Sequence, residues 1–206
     1  MGADGECEAG VVAGTGGADG GKGAEEAGAT EGADGSAGWP LVSGDTALTI
    51  KVPEADALVQ EEFPAHVTVL FPFLHEERLD DGATERKLAE LVRAHDAFDL
   101  TFAEFACYPG VLYLDPWPHD PVTALAKDLT RCWPDVVPYW GIFGDGGLAP
   151  HLTLAKGEGP DTWRTAYDAL AARLAPALPL HTRVRHVDLI TWDGARWCDR
   201  AAYPLG

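Results

Sequence analysis

Positive charge is scarce in this chain. Its 206 residues hold 15 Lys and Arg against 33 Asp and Glu, a formal net charge of −18. That balance excludes broad, sequence-blind binding to long nucleic acid or to an anionic membrane, both of which need a basic face. It leaves room for a small anionic ligand held by a few local donors. Serine is nearly missing: Ser36 and Ser43 are the two, and neither stands in Gly-x-Ser-x-Gly, so a serine-nucleophile elbow is excluded. The four cysteines (Cys7, Cys107, Cys132, Cys198) make no Cys-x-x-Cys and no Cys-His cluster. A zinc site and a disulfide framework are therefore not expected, and a reducing cytosol fits. No apolar run approaches the roughly 18 residues of a membrane span. The N-terminus lacks the apolar stretch of a secretory signal, so the expected location is cytoplasmic.

What is present falls into two parts. Residues 1–38 are mostly Gly, Ala, Glu and Asp, with eight acidic side chains and one lysine. Such a segment buries too little apolar surface to offset its ordering entropy, and it reads as a disordered tail. Gly14-Thr15-Gly16-Gly17 in it has no strand before it and no helix after it, so it is not a phosphate loop. Residues 39–206, opened by Trp39-Pro40, have the length and apolar content of one ordinary domain.

Within that domain the pattern predicts mixed elements. Residues 47–52 alternate as a strand, and 54–62 read as a short helical turn. A strand follows at 66–71, then a helix from Thr84 to His95 with Leu88, Leu91 and Val92 on one face. Strands are expected at 98–102 and 111–114. A helix starts at Asp120-Pro121, with Asp120 as cap and Leu125, Leu129, Cys132 and Trp133 along one face. Residues 134–150 form a loop with heavy apolar content, expected to fold back over a cleft. A strand at 151–155 precedes a helix capped by Asp161 and faced by Trp163, Ala166, Tyr167, Leu170 and Leu174. Strands at about 182–192 and 196–203, joined by Asp193-Gly194, close the domain. This order lacks the strict strand–helix alternation of a doubly wound parallel sheet.

One short pattern occurs twice. His66-Val67-Thr68-Val69 and His151-Leu152-Thr153-Leu154 each set His and Thr two apart in an apolar strand, the second copy 85 positions after the first. Alternate residues of a strand share a face, so each copy aims an imidazole and a hydroxyl at one space while Val or Leu enters the core. Two imidazoles in one cleft can divide phosphoester cleavage between them. The neutral ring takes a proton from the attacking water, and the protonated ring gives one to the leaving oxygen. Thr68 and Thr153 can donate to the phosphate's non-bridging oxygens. Which histidine is acid and which is base stays open.

These paired motifs, and their contexts Ala65-His66-Val67-Thr68-Val69-Leu70-Phe71-Pro72-Phe73-Leu74 and Pro150-His151-Leu152-Thr153-Leu154-Ala155-Lys156, resemble the 2H phosphoesterase superfamily. The likeness is to its bacterial 2′–5′ RNA ligase / RNA 2′,3′-cyclic phosphodiesterase branch, over roughly residues 46–205. The resemblance implies an α+β, bilobal fold: two pseudo-symmetric lobes with antiparallel sheets lining a central cleft. It implies metal-independent, cofactor-free opening of RNA or nucleotide 2′,3′-cyclic phosphates, with reversible 2′–5′ ligation in some members. It also implies catalytic His66, Thr68, His151 and Thr153, phosphate contact by Lys156, and base stacking on Phe71. The alternative is a catalytically weak nucleotide-binding module using the same cleft. The segment between first strand and first motif, residues 53–65, is shorter than in many relatives. With the acidic surface this favours short RNA ends or cyclic nucleotides as partners, and the expected oligomeric state is a monomer.

Parity raises a difficulty. Phe71 and Lys156 each stand five residues after a motif histidine, and an odd offset in an ideal strand points to the opposite face. Each needs a strand end or a bulge to turn inward. Phe71 has core packing as its other reading. Tyr139 and Trp140 read as lid packing or as a base-stacking platform. Arg183 and Arg185 share a strand face, either exposed or touching phosphate. His75-Glu76-Glu77-Arg78 lacks the second histidine of a zinc-protease helix, and His95, His119 and His181 belong to no motif.

Overall fold

The computed structural model describes residues 39–60, 63–79, 82–144, 148–159 and 161–206. The expected tail 1–38 lies outside the described residues, as do Glu61, Glu62 and Asp145, the acidic residues nearest the motifs.

Eight strands form one antiparallel sheet. They are β1 (Thr46–Lys51), β2 (His66–Leu70), β3 (Phe98–Tyr108), β4 (Val111–Trp117), β5 (Leu152–Lys156), β6 (Leu180–Val184), β7 (His186–Trp192) and β8 (Trp197–Pro204). Their order in the sheet is β6-β3-β4-β5-β2-β1-β7-β8. The motif strands β2 and β5 lie side by side at its centre, joined at one Cα pair, Val67 and Leu152. Four strands stand on each side of that seam in matching positions, which are the two expected lobes. They are halves of one sheet rather than two separate sheets.

The sheet must curl. β6 stands at one end of the hydrogen-bonding order and β7 next to last at the other, yet only Arg185 separates them in sequence. Two residue steps span about 7 Å at most, so the β6 edge comes back close to β7. The strand expected at 182–192 is thus two strands, and the chain changes lobe at Arg185. The burial pattern changes across this break: β6 buries alternate residues, Thr182 and Val184, whereas β7 buries Val187, Asp188, Leu189 and Ile190 in succession. β3 runs on to Tyr108 rather than ending at Phe102. A register shift between Phe102 and Glu104 interrupts its alternation, which hid the second half.

Three helices cover the apolar side: α1 (Ala83–Arg93), α2 (Asp120–Cys132) and α3 (Trp163–Leu174). α1 buries Leu88 and Val92, and α2 buries Val122, Leu125 and Leu129. α3 buries Trp163, Tyr167 and Leu170. They share a core with Leu48, Ile50, Val67, Leu114 and Leu152 from the strands. The caps differ by a residue from expectation. His119, not Asp120, precedes α2. Thr162, not Asp161, precedes α3, and its hydroxyl bonds Glu158 rather than capping the helix. Tyr167 is 2% exposed, and its hydroxyl donates to the Gly110 carbonyl at 2.8 Å, tying α3 to the β3–β4 turn. Tyr167→Phe is expected to cost about 1 kcal/mol, since it removes one of the two hydrogen bonds that the Gly110 carbonyl accepts, the Gly157 amide at 3.1 Å giving the other. Urea denaturation measures this, with an unchanged slope.

Candidate active site

The antiparallel register sets the geometry. With Val67 opposite Leu152, the next pairs along the seam bring His66 opposite Thr153 and Thr68 opposite His151. Val67, Leu152 and Leu154 are buried in the core, while all four polar side chains line one cleft of about 700 Å³. The result is a square of two hydroxyls and two imidazoles with the histidines on a diagonal, roughly 7–8 Å apart by strand geometry.

Each imidazole is oriented the same way. His66 Nδ1 lies 2.9 Å from the Pro64 carbonyl oxygen, and His151 Nδ1 lies 2.9 Å from that of Ala149. A carbonyl only accepts, so each Nδ1 carries the hydrogen and each Nε2 is left with its lone pair toward the cleft. Burial favours the neutral ring in both. It pulls the His66 pKa down to about 4, against the raising effect of the Pro64 bond and with further lowering by the charges of His151, Lys156 and Lys51. Burial also lowers the His151 pKa, partly opposed by its Ala149 bond.

Bulges resolve the parity problem, and they occur at the same place in both copies. Between β1 and β2 the pairing steps from Thr49–Thr68 to Leu48–Leu70, so β2 holds an extra residue at Val69. Between β4 and β5 it steps from Tyr113–Thr153 to Leu112–Ala155, so β5 holds an extra residue at Leu154. In each strand two consecutive residues turn to the core: Val69 with Leu70, and Leu154 with Ala155. The next residue is thereby returned to the cleft. Phe71 and Lys156 both line it, at corresponding positions.

The two halves then differ in chemistry. Around His151 stand Tyr108 and Tyr113, with ring centroids 6.1 and 5.5 Å from the imidazole, whereas Lys156 of the same strand acts on His66. Beside His66, Phe63 meets the ring edge-on at 5.0 Å. Phe71 is 8% exposed and packs edge-on against Trp39, Tyr139, Trp140 and Trp197. It lines the cleft and belongs to a small core with Ala47 and Ile190.

The apolar loop after α2 does fold over the cleft. The Tyr139 amide donates to the Phe71 carbonyl at 2.7 Å, and its phenol shares a hydrogen bond with Thr68. Burial pushes the Tyr139 pKa up to about 12, so the phenol keeps its proton. Tyr139 and Trp140 hold left-handed backbone angles (φ 49° and 51°), a strained conformation for two adjacent aromatic residues. All seven expected site residues therefore reach one cleft. Arg183 and Arg185 do not: Arg183 pairs with Asp99 at 2.9 Å, and both are exposed away from it. His95, His119 and His181 bond Asp128, Asp115 and Thr101 elsewhere. His75 accepts from the Glu77 amide at the start of a short 3₁₀ turn. Among the described residues no three His, Cys, Asp or Glu side chains gather as metal ligands, and no helix is long and apolar enough to cross a membrane.

Sequence reasoning missed Tyr108, Tyr113, Trp197 and Thr49, which all shape the site. Their signal is cross-strand: Tyr113 pairs with Thr153 and Thr49 with Thr68, neighbours that no local pattern reveals. Tyr108 approaches His151 Nε2 with its hydroxyl at 3.4 Å. Its pKa is raised well above the ordinary phenol value, by burial first and then by Tyr139 and Tyr113, so it donates to the neutral ring. Tyr108→Phe removes a bond that favours neutral His151, so the His151 pKa is expected to rise, as an NMR titration of the ring protons would report.

A curled antiparallel sheet with a His-x-Thr strand on each side of a central seam is the architecture of the 2H phosphoesterases. Residues 55–196 match the 2′-5′ RNA ligase superfamily, and the chain belongs to that family. No curated protein matches it. Solved structures that share the fold include two of similar extent. TT0787 of Thermus thermophilus has 17% identity and a TM-score of 0.52, over 78% of this chain and 97% of that one. E. coli LigT in complex with 3′-AMP has 16% identity and a TM-score of 0.50, over 80% of this chain and 99% of that one.

Proposed function

We propose that the protein is a metal-independent phosphodiesterase that opens 2′,3′-cyclic phosphates at short RNA ends or on mononucleotides, using His66 and His151 as its acid/base pair. The observation that carries this reading is the diagonal square of His66, Thr68, His151 and Thr153, with both Nε2 atoms turned to one cleft.

The neutral imidazole takes a proton from water through Nε2 as the water oxygen bonds phosphorus. The bond from phosphorus to one ribose oxygen breaks, and the protonated imidazole delivers its proton to that oxygen. The product is a ribose monophosphate with one free hydroxyl. Charge on the non-bridging oxygens meets Thr68, Thr153 and the Lys156 ammonium. For Thr68 to donate to phosphate, its bond to the Tyr139 phenol must be exchanged or shared, so Tyr139 takes part in substrate binding. With a ribose 5′-hydroxyl in place of water and the 3′ oxygen leaving, the same ring opening joins RNA ends by a 2′–5′ bond, and its reverse cleaves that bond. Support for a nucleotide in the cleft comes from the aromatic half of its wall and from the 3′-AMP bound to E. coli LigT.

The test is incubation of the purified protein in EDTA with a short RNA ending in a 2′,3′-cyclic phosphate, with the products resolved. Opening to a single monophosphate isomer is expected. Nucleotide binding without any product, on this RNA and on cyclic mononucleotides, would leave a binding module instead.

A further inference from the structure

We infer that Thr49 is a further ligand-binding residue, whose hydroxyl bonds a ribose oxygen of the bound nucleotide. The inference rests on the cleft being a nucleotide site, as proposed above. Thr49 is 1% exposed and lines the cleft. Its Oγ1 is buried and has no hydrogen-bond partner among the described residues. A buried hydroxyl without a partner is unfavourable and uncommon, so a polar atom that arrives in the cleft is the natural one to satisfy it.

Position decides which atom. Thr49 pairs with Thr68 on one side and with Asp188 on the other, and cross-strand partners share a face. It therefore stands one strand spacing, about 4.8 Å, farther from the central seam than the Thr68 hydroxyl. Two residues before it on the same face of β1 is Ala47, which packs with Phe71 and Ile190 in the aromatic half of the cleft. Thr49 thus lies between the phosphate-sized square at the seam and the pocket suited to a base. In a nucleotide the part between phosphate and base is the ribose. A threonine hydroxyl both donates and accepts, so it suits either a ribose hydroxyl or a ribose ether oxygen.

One internal partner competes. Asp188 Oδ2 also lacks a hydrogen bond among the described residues, with His186 Nε2 3.4 Å away. Burial raises the Asp188 pKa, while His186 and Lys51 lower it and Asp199 raises it. If Thr49 donates to Asp188 in solution, its hydroxyl serves the fold and not a ligand.

The experiment is calorimetric titration of the full chain with adenosine 2′-monophosphate and, separately, with inorganic phosphate. Wild type, Thr49→Val and Thr49→Ser are compared, and thermal unfolding is recorded for each. Valine keeps the branched shape and deletes the hydroxyl, whereas serine keeps the hydroxyl. Thr49→Val is expected to weaken the nucleotide about tenfold, leave inorganic phosphate unchanged, and leave the unfolding midpoint unchanged or raised. Thr49→Ser is expected to bind the nucleotide close to wild type. Unchanged nucleotide affinity in Thr49→Val overturns the inference. So does an equal loss for inorganic phosphate, a lowered unfolding midpoint restored by serine, or a wild type that binds no adenosine 2′-monophosphate. Binding is read without turnover, so a protein that binds the nucleotide but opens no cyclic phosphate refutes the proposed reaction and leaves this inference standing.

Discussion

Replacing His66 or His151 by alanine is expected to lower kcat for cyclic phosphate opening by about 10²–10⁴-fold each. The two losses should not multiply. The histidines act in one concerted step, so the double variant should be little worse than the poorer single one. Neither change should unfold the protein. Each ring holds one carbonyl through Nδ1, and each keeps its Nε2 edge toward the cleft, away from the main core. Single-turnover assays beside nucleotide binding separate the effects: binding is largely kept, and chemistry is lost. A variant of either histidine that opens the substrate at the wild-type rate would refute the paired mechanism.

The second large effect is in pH. The productive free enzyme carries one proton across the pair. Both pKa values are depressed: His66 to about 4, and His151 below its ordinary 6.5 by burial. The sign follows. Above the higher of the two values the pair loses its one proton, and kcat/KM falls tenfold per pH unit. Below the lower value both rings are protonated, the base is gone, and the rate falls again. The maximum of kcat/KM therefore lies on the acid side of 6.5, and the rate drops about 100-fold between pH 6.5 and 8.5. A bound phosphate anion favours imidazolium, so the kcat profile should sit at higher pH than that of kcat/KM. The two apparent values belong to the pair rather than to one ring. A flat profile across pH 6.5–8.5 would contradict the depressed pair. Stability changes in the same window. The folded chain holds both rings neutral, so the unfolded chain binds more protons below pH 6.5. Stability is then lost as pH falls from 6.5 toward 4.

Much of this site was legible in the sequence, because His-x-Thr in an apolar strand is a local, period-two pattern. Val67 and Leu152 alternate into the core as that period requires, and the faces of His66, Thr68, His151 and Thr153 follow. Long-range pairing was not legible. That β2 and β5 meet at Val67 and Leu152, and that the chain changes lobe at Arg185, depend on partners far away in sequence. The bulges were anticipated as a need, without their positions. The role of the loop after α2 could be read from its aromatic content, but the bond from Tyr139 to Thr68 could not.

The extra residues in β2 and β5 carry a consequence for how such a site tolerates change. Removing one residue at Val69 or at Leu154 leaves the preceding His and Thr on their proper side. Everything downstream is turned over: Phe71 would swap sides, and the Lys156 ammonium would be driven into an apolar interior. Each motif is therefore read in two frames, one for the shared pair and one for the position that differs. The first frame keeps the two copies alike. The second lets one copy present a ring and the other a cation, so the cleft acquires a direction without disturbing its chemistry.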